Sequence, residues 1–318
     1  MPDEEMLLEL TNVTKDFRVS GQMLHAVRDV SMAVPLGQTL GLVGESGSGK
    51  STVGRLALWL MEPTQGRIVF QGNDLANMPP AKLRHLRRNM QIIFQDTQAS
   101  LSPRMSVGAA VEDGLAIQKI GTPKERRMKV DRALEQVGLP LEVADAYPFE
   151  LSGGQLQRIG IARALVLEPR FIVCDEPVSA LDVSIQLQII KLLMDLQREL
   201  GLSYLFISHN LAVVEYLSSS VVVLYLGQVV EQASTEEVFT HPLHPYTNML
   251  MGAIMRVPHP GEQRGVSDVP AGEMPSPFNP PSGCAFHPRC PLAQDVCREK
   301  EPELREVKPG HCARCHLA

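Results

Sequence analysis

Apolar and polar side chains alternate in two stretches near the start of the chain, at residues 6–15 and 24–34. A period of two residues is typical of a strand that buries one face. These stretches predict an antiparallel β layer. The next apolar run, Leu40-Gly41-Leu42-Val43, is continuous, which indicates a strand buried on both faces.

Short apolar runs and helical patterns alternate through the middle of the chain, an order that is typical of an α/β fold with parallel strands. Two of the runs flank Gly227 and predict a β-hairpin, and residues 66–74 predict a strand with a tight turn. The two hairpin strands are predicted at 221–226 and 228–231. Further strands are predicted at 90–94, 171–174 and 204–207, and a helix is predicted from Asp182 to Leu200.

Residues 107–166 have a helix-forming composition and no strand-like runs. They predict a helical subdomain at about 96–168. Ser152 precedes apolar residues at helical spacing and is a suitable N-cap, while Gly153 and Gly154 free the backbone around it. We therefore expect an anion-binding helix N-terminus at this point.

The chain becomes rich in proline and loses its periodicity beyond His241. We expect a domain boundary near 235–255, with one domain at 1–240 and a second at 241–318. The fold class is α/β in the first domain, with the antiparallel β layer and the helical subdomain added to a parallel core. The second domain is expected to be small and irregular.

Composition and charge narrow the classes of function. The chain has 318 residues, 44% hydrophobic and 21% charged, an ordinary globular balance with room for about two domains. A net charge of −6 argues against a nucleic-acid surface, and the basic run at 82–88 is expected to be a solvated helix face. No apolar run approaches the roughly 18 residues that span a bilayer, and the acidic N-terminus lacks signal-peptide features, so we expect a soluble, cytoplasmic chain.

One stretch carries phosphate-binding chemistry. The run at 40–43 leads into the phosphate loop, Gly44-Glu45-Ser46-Gly47-Ser48-Gly49-Lys50-Ser51-Thr52, and residues 53–61 have helix-forming composition. The glycines permit close backbone approach, so that N–H groups converge on phosphate. Lys50 can reach the outer phosphates, the Ser51 hydroxyl suits Mg²⁺, and the helix adds its dipole. A Gly- and Ser-rich surface turn is the alternative.

Titratable residues follow two other predicted strands. Asp175 and Glu176 end one apolar run, and His209 comes just after another. Ligands bind at the carboxyl ends of strands in open α/β sheets. A solvated loop is the alternative for the two carboxylates. Phe17 is either a ring that stacks on a nucleotide base or a core aromatic at a strand end.

The chain resembles the ATP-binding-cassette (ABC) ATPases over residues 6–235, in the order and approximate spacing of its motifs. The resemblance implies a P-loop (RecA-like) core that hydrolyses ATP to ADP and phosphate. The motifs are the phosphate loop, Gln95, Leu151-Ser152-Gly153-Gly154-Gln155, Asp175-Glu176, Ser179-Ala180-Leu181-Asp182 and His209.

The resemblance also implies a role for each motif. Lys50 and the loop N–H groups neutralise phosphate charge, and Ser51, Gln95 and Asp175 hold Mg²⁺. Glu176 orients and deprotonates the attacking water, and His209 contacts the γ-phosphate. The signature residues close on the ATP of a second cassette, so that hydrolysis requires a head-to-tail dimer. Further nucleotide contacts are expected from Phe17, Gly44, Ser46, Gly47, Gly49, Thr52, Ser152, Gly153, Gly154, Gln155 and Asp182.

A closer resemblance is to the ATPases of oligopeptide and dipeptide importers, and it extends to residue 318. It is carried by residues 100–107, 178–186, Glu273-Met274-Pro275-Ser276-Pro277 and Pro280-Pro281-Ser282-Gly283-Cys284-Ala285-Phe286-His287-Pro288-Arg289-Cys290-Pro291. The chain departs from the family pattern at Phe17, Thr97, Ser102 and Asn210. Only Phe17 touches the chemistry, and it keeps an aromatic ring where tyrosine is common.

The importer resemblance implies a large assembly. The expected partners are a second, related ATPase, two membrane-spanning permease subunits and, through the complex, a substrate-binding protein, at the cytoplasmic face of the bacterial inner membrane. A groove near Gln95 would receive a short permease helix. Uptake of dipeptides or oligopeptides is the expected role, and nickel or glutathione uptake would leave this chain looking much the same.

Five of the six cysteines lie in the last 35 residues, which favours a metal site over disulfides in a cytosolic chain. Four thiolates can hold zinc or an iron–sulfur cluster. Their long spacings and the tails of the importer ATPases favour a [4Fe–4S] cluster on Cys284, Cys290, Cys297 and Cys315. Cys312 is the spare, although an exchange with Cys315 stays open, and Cys174 is expected to be a small buried hydrophobe.

Two other functions compete with this interpretation. A soluble ABC ATPase of DNA repair or translation is expected to show a coiled-coil insertion, tandem cassettes or a basic face, and the sequence has none of them. A regulatory module that holds ATP without hydrolysing it is expected to lack Glu176 or His209, and both are present.

Overall fold

The structure is a computed structural model that describes residues 5–252 and 273–318. Part of the expected proline-rich stretch, residues 253–272, lies outside the described residues. Contacts divide the chain into two compact units, each assembled from separate segments. Of the described residues, the first unit contains 5–8, 34–39 and 70–207, and the second contains 9–33, 40–69, 208–252 and 273–318. This division is drawn from contacts, and the sequence boundary at residue 240 stays a prediction.

The described strands are β1 (Met6–Val19), β2 (Gln22–Pro35), β3 (Thr39–Val43), β4 (Gln65–Phe70), β5 (Asn73–Asp74), β6 (Met90–Ile93), β7 (Phe171–Asp175), β8 (Ser203–Ser208), β9 (Ser220–Tyr225), β10 (Gln228–Ser234), β11 (Arg305–Lys308) and β12 (His311–Ala313). The described helices are α1 (Lys50–Ala57), α2 (Pro80–Leu86), α3 (Thr97–Ser100), α4 (Val107–Ile117), α5 (Pro123–Gln136), α6 (Gly153–Leu165), α7 (Val183–Leu200), α8 (Leu211–Leu217), α9 (Thr235–Thr240), α10 (Pro245–Gly252) and α11 (Asp295–Glu299).

Three parallel strands run through the first unit. Met90 of β6 pairs with Phe171 of β7, and Phe171 pairs with Ser203 of β8. Every residue of β7 and β8 is buried, which explains why the sequence shows continuous apolar runs here. The predicted parallel strands are confirmed, and β7 carries Asp175 at its carboxyl end.

The helices of the first unit begin at side chains that satisfy their free N–H groups. Thr122 forms a capping box with Glu125 at the start of α5, and Ser152 forms one with Gln155 at the start of α6. At the other end of α7, Gly201 adopts a left-handed conformation with φ of 65° and ends the helix. The predicted helical stretch at 107–166 and the N-cap at Ser152 are confirmed.

The second unit joins the phosphate loop to the end of the chain. Strand β1 lies between β2 and β4 in one sheet. In another sheet, β3 runs parallel to β9, β9 and β10 form the hairpin predicted at Gly227, and β10 pairs antiparallel with β12. Strand β12 in turn pairs with β11. The tail therefore adds two strands to the sheet that carries β3.

Three expectations need correction. The helix after the phosphate loop covers Lys50–Ala57 rather than 53–61, because Trp59 has a positive φ of 51° that a helix cannot continue through. Strand β6 ends at Ile93 rather than at Phe94. The region beyond His241 is less irregular than expected, since it contains α10, α11, β11 and β12.

A buried carboxylate fastens the tail to the sheet. Glu231 of β10 is fully buried, and its Oε1 lies 2.7 Å from Nε2 of His311 in β12. The same carboxylate accepts the backbone N–H groups of Leu243 and His244, at 2.7 and 2.9 Å. Burial lowers the pKa of His244 to about 3, so this ring is neutral and its Nδ1 can accept the N–H of Tyr246. One side chain thus joins three segments of the second unit.

Within residues 5–252 and 273–318, no helix combines the length and the hydropathy that crossing a membrane requires.

Replacing His311 by alanine tests whether its contact with Glu231 holds the tail on the sheet. We expect His311→Ala to lower the free energy of unfolding by about 2–3 kcal/mol, because a fully buried carboxylate loses a partner. Urea unfolding of the full chain measures the loss. The control is His241→Ala, which changes an exposed side chain and should cost less than about 0.5 kcal/mol. Equal losses in the two variants would show that the Glu231 contact does not hold the tail.

Candidate functional site

The phosphate loop connects β3 to α1, and two of its glycines have no room for a side chain. Gly49 has φ of 104°, and a Cβ added there would lie 2.5 Å from the carbonyl oxygen of Ala26. At Gly44 an added Cβ would lie 2.2 Å from the carbonyl oxygen of Leu224. Backbone therefore surrounds the loop closely, and its N–H groups can approach a ligand without obstruction from side chains.

Lys50 lies within the concavity of the loop. It is 5% exposed, and its Nζ donates to the carbonyl oxygens of Gly44 and Glu45, at 2.7 and 2.8 Å. Ser51 and Thr52 follow in the first turn of α1, whose N-cap Gly49 offers no side chain to the free N–H groups. The arrangement suits an anion, which the lysine amine and the helix N-terminus would both attract.

Two residues of the C-terminal region hold Glu45, the second residue of the loop. The guanidinium of Arg289 donates to both carboxylate oxygens of Glu45, at 2.8 and 2.9 Å. The hydroxyl of Tyr246 accepts the N–H of Glu45 at 2.8 Å. Hydrogen bonding to Glu45 raises the pKa of Arg289, and burial raises the pKa of Tyr246. These contacts cannot be predicted from the sequence, because no local pattern links positions so far apart.

In the first unit lie three of the residues predicted to act on water and metal, Gln95, Asp175 and Glu176. Asp175 is 7% exposed at the end of β7, and Glu176 follows with a left-handed φ of 47°. The N–H of Glu176 donates to the carbonyl of Ile207 at 3.0 Å. Gln95 Nε2 donates to Glu176 Oε2 at 3.1 Å, and to Ser179 Oγ at 3.5 Å. Gln95 and Glu176 are therefore in direct contact, and the roles expected for them stay predictions.

The signature residues open α6 in the same unit. Ser152 Oγ accepts the N–H of Gln155, and Gln155 Oε1 accepts the N–H of Ser152 at 3.0 Å. A Cβ added at Gly154 would lie 2.9 Å from Cγ2 of Ile185, so α7 leaves room only for glycine there. Ser152 and Gly153 are exposed, and Asp182 is the N-cap of α7.

Two further predicted residues lie in the second unit. Phe17 is a partly exposed residue of β1, and the amine of Lys15 lies 5.2 Å from its ring centroid. Either role considered for this ring fits such a position, so its contact with a base stays a prediction. His209 directly follows β8 and is exposed.

The cysteines of the tail divide into a set of four and one outlier. Burial raises the pKa of Cys284 to about 11, and the thiols of Cys297, Cys315 and Cys290 add to the rise. The charged group that raises the pKa of Cys312, after burial, is Glu306 rather than another thiol. Among the residues that the structure describes, no group of three or more histidine, cysteine or acidic side chains could hold a single metal ion.

The histidines of the tail have structural partners. His287 Nδ1 lies 3.0 Å from the carbonyl of Cys284, and His316 Nε2 lies 2.8 Å from the carbonyl of Lys300. Cys174 is fully buried in β7, and burial raises its pKa, which confirms that it behaves as a small core residue.

Comparison with known families gives two matches. Residues 27–179 match the family described as ABC transporter. Residues 230–297 match the family described as oligopeptide/dipeptide transporter, C-terminal region. The second match begins in β10 and includes the turn that carries Arg289.

Similar proteins match along nearly their whole length. A Brucella ovis protein, provisionally named a peptide import ATP-binding protein, is 53% identical over 98% of both chains. The oligopeptide transport ATP-binding protein AppF of Bacillus subtilis is 46% identical, over 99% of this chain and 98% of AppF. The dipeptide transport ATP-binding protein DppF of Haemophilus influenzae is also 46% identical, over 95% of this chain and 92% of DppF.

Solved structures share the fold. The ATP-binding cassette MJ0796, a dimer in a post-hydrolysis state with ADP and Pi, has a TM-score of 0.66 and 29% identity, over 72% of this chain and 98% of MJ0796. The protein cbiO1 of Clostridium perfringens, part of the ABC transporter complex cbiONQ, has a TM-score of 0.67 and 30% identity, over 75% of this chain and 92% of cbiO1.

A substitution at Gly49 tests how tightly the backbone encloses the loop. We expect Gly49→Ala to lower the free energy of unfolding by about 3 kcal/mol, through strain at positive φ and the clash with Ala26. Gly21→Ala is the matched control, since Gly21 has φ of 83° but open space around it, and it should cost only about 1 kcal/mol. Urea unfolding compares them. Equal costs would mean that contact with Ala26 does not constrain the loop.

Proposed function

The chain belongs to the ABC transporter family and is an ATPase with the P-loop ABC fold, and we propose that it powers the uptake of peptides as the ATP-hydrolysing subunit of a membrane import complex. The observation that carries the proposal is a similarity to peptide-import ATP-binding proteins that includes the C-terminal region as well as the cassette.

ATP would bind with its phosphates in the phosphate loop. The loop N–H groups and Lys50 neutralise the charge that spreads over the transferred phosphoryl group. The Ser51 hydroxyl, the Gln95 amide and the carboxylate of Asp175, directly or through water, are hard oxygen donors of the kind that Mg²⁺ accepts. When bound, the ion supplies further neutralisation of the β- and γ-phosphates.

Glu176 would be the general base. Its carboxylate is held by Gln95, and its backbone is fixed in a left-handed conformation by the hydrogen bond to Ile207. A fixed carboxylate can orient water for attack in line with the leaving oxygen and accept its proton. His209 would contact the γ-phosphate, and Phe17 would stack on the base.

The signature helix would complete the site of a second cassette. Ser152 and Gly153 are exposed at the N-terminus of α6, where N–H groups can meet the γ-phosphate of ATP bound to another chain. MJ0796, a structural neighbour of this chain, was solved as a dimer. We expect a related but different ATPase as the partner, and a pair of cassettes that closes on ATP and reopens after hydrolysis.

Closure of the pair would drive alternating access in two permease subunits, which the binding protein supplies with solute. The chain would therefore work at the cytoplasmic face of the bacterial inner membrane, attached through the permeases. Dipeptides and oligopeptides are the proposed solutes, because those are the substrates named for AppF and DppF.

We further propose that the tail holds a [4Fe–4S] cluster on Cys284, Cys290, Cys297 and Cys315. Besides burial, Cys297 and Cys315 both contribute to the raised pKa of Cys284 and of Cys290, as neighbouring cluster ligands would, whereas the charged group that raises the pKa of Cys312 is Glu306. The long spacings of the four cysteines and the resemblance of the tail to importer ATPases favour the cluster over a single zinc ion. The cluster would supply a structural cross-link for the tail.

Metal analysis tests the cluster. Protein purified without oxygen is expected to be brown and to contain about four iron atoms per chain. Cys284→Ser should lose the iron, whereas Cys312→Ser, the matched control, should keep it. Colourless protein with stoichiometric zinc and no iron would overturn this assignment.

Substitution of Glu176 tests the catalytic proposal. Glu176→Gln should lower the ATPase rate of the assembled complex by at least about a hundredfold, because the amide cannot accept the proton of water, while ATP binding is retained. Steady-state ATPase assays and ATP-binding titrations measure the two effects. Glu199→Gln, an exposed carboxylate on α7, is the control and should leave the rate unchanged. An unchanged rate for Glu176→Gln would refute the general-base role.

A further inference from the structure

We propose that Arg289 is a positioning residue for the phosphate loop: by holding Glu45, it keeps Lys50 and the loop N–H groups in place and makes ATP affinity depend on the C-terminal region. This inference rests on the proposed binding of ATP phosphates by the loop. It assigns to the region beyond residue 240 a part in nucleotide binding.

The contact is a pair of parallel charge-assisted hydrogen bonds. Arg289 Nη1 donates to Glu45 Oε2 at 2.8 Å, and Nη2 donates to Oε1 at 2.9 Å. The side chain of Arg289 is 8% exposed, and that of Glu45 is 28% exposed. A two-point contact fixes the plane of the carboxylate as well as its distance, so it specifies orientation more strongly than a single ion pair would.

The guanidinium is itself held from several sides. It lies 5.9 Å from the ring centroid of Tyr225 and 6.0 Å from that of Phe286, and Nη2 lies 3.8 Å from Sδ of Met249. The rings of Tyr225 and Phe286 meet edge to face at 5.3 Å. Arg289 ends a 3₁₀ turn that leads directly to Cys290. The guanidinium of Arg289 thus packs among two aromatic rings and a methionine side chain, in largely apolar surroundings.

Glu45 connects Arg289 to Lys50, because the backbone of Glu45 contacts the lysine side chain. Its N–H is bound by the Tyr246 hydroxyl, and its carbonyl accepts Lys50 Nζ at 2.8 Å and the N–H of Ser48 at 3.2 Å. The side chain, N–H and carbonyl of this one loop residue are therefore all engaged. A displacement of Glu45 would move the carbonyl that holds Lys50 and the turn that shapes the loop.

A positioning role and a purely electrostatic role of Glu45 predict opposite effects of Glu45→Ala on ATP affinity. If only charge mattered, removing a carboxylate beside a phosphate site would tighten ATP binding, because Arg289 would remain as an uncompensated cation. If Glu45 transmits the position set by Arg289, its loss should weaken binding. The sign of the change therefore separates the two effects.

The experiment measures the Kd for ATP of the full-length protein by calorimetry, with the KM and kcat of the assembled complex. We expect Glu45→Ala and Arg289→Ala each to raise Kd and KM about tenfold, with less than about a twofold change in kcat. The double variant should be no weaker than either single variant, because both remove the same interaction. Arg289→Lys should lie between wild type and Arg289→Ala, since lysine keeps the charge without the two-point contact.

Arg298→Ala is the matched control, because Arg298 directly follows Cys297 as Arg289 precedes Cys290, yet it is exposed. It should leave Kd unchanged. Tighter binding by Glu45→Ala, or additive losses in the double variant, would overturn the inference. Glu45→Ala keeps the tail intact, so the test survives if Arg289→Ala fails to fold.

Lys50→Ala separates this inference from the proposed function. If Lys50→Ala leaves ATP affinity unchanged, the proposed phosphate site is wrong. If Lys50→Ala abolishes binding while Glu45→Ala does not weaken it, only the positioning role of Arg289 fails.

Discussion

A loop that binds phosphate with its backbone N–H groups has to keep side chains away from the points where its backbone is most crowded, and this constraint governs the second unit. The loop depends on what encloses it: the end of β3, the carbonyl of Leu224 behind Gly44 and the carbonyl of Ala26 behind Gly49. Strand β9 contributes Leu224 because it pairs in parallel with β3. Arg289 and Tyr246, which belong to the C-terminal region, hold Glu45 of the loop. The loop's geometry is thus set by segments from three parts of the chain.

The first unit has a different requirement, since its carboxylates must be held in a fixed orientation at the end of a buried strand. Asp175 is the last residue of β7 and is nearly buried, whereas Glu176 leaves the strand in a left-handed conformation that costs energy in a non-glycine residue. The hydrogen bonds to Ile207 and from Gln95 hold it there. This strain lies at the residue to which we assign proton transfer, where a fixed orientation of the side chain matters most.

Much of this arrangement can be predicted from the sequence because it is local. Periodicity reveals β7, β8 and α7, and the phosphate loop and the Ser152 cap are short contiguous patterns. Contacts between distant positions leave no such trace: Glu45 and Arg289 are 244 residues apart, and Glu231 and His311 are 80 apart. Strand β11 was missed because it is short and mostly exposed, and the early end of α1 was missed because nothing in the composition foretells the left-handed backbone of Trp59.

The pairing of β10 with β12 has a consequence for biosynthesis. The unit that contains the phosphate loop also contains β12, so its sheet cannot be completed until residues 311–313 have been translated. Until then the hydrogen-bonding edge of β10 and the carboxylate of Glu231 await β12 and His311. Nascent chains that stall before residue 311 would expose an unpaired edge strand next to a buried charge, a combination that promotes aggregation. Completion of the sheet around the phosphate loop therefore depends on a strand that is synthesised more than 250 residues after the loop.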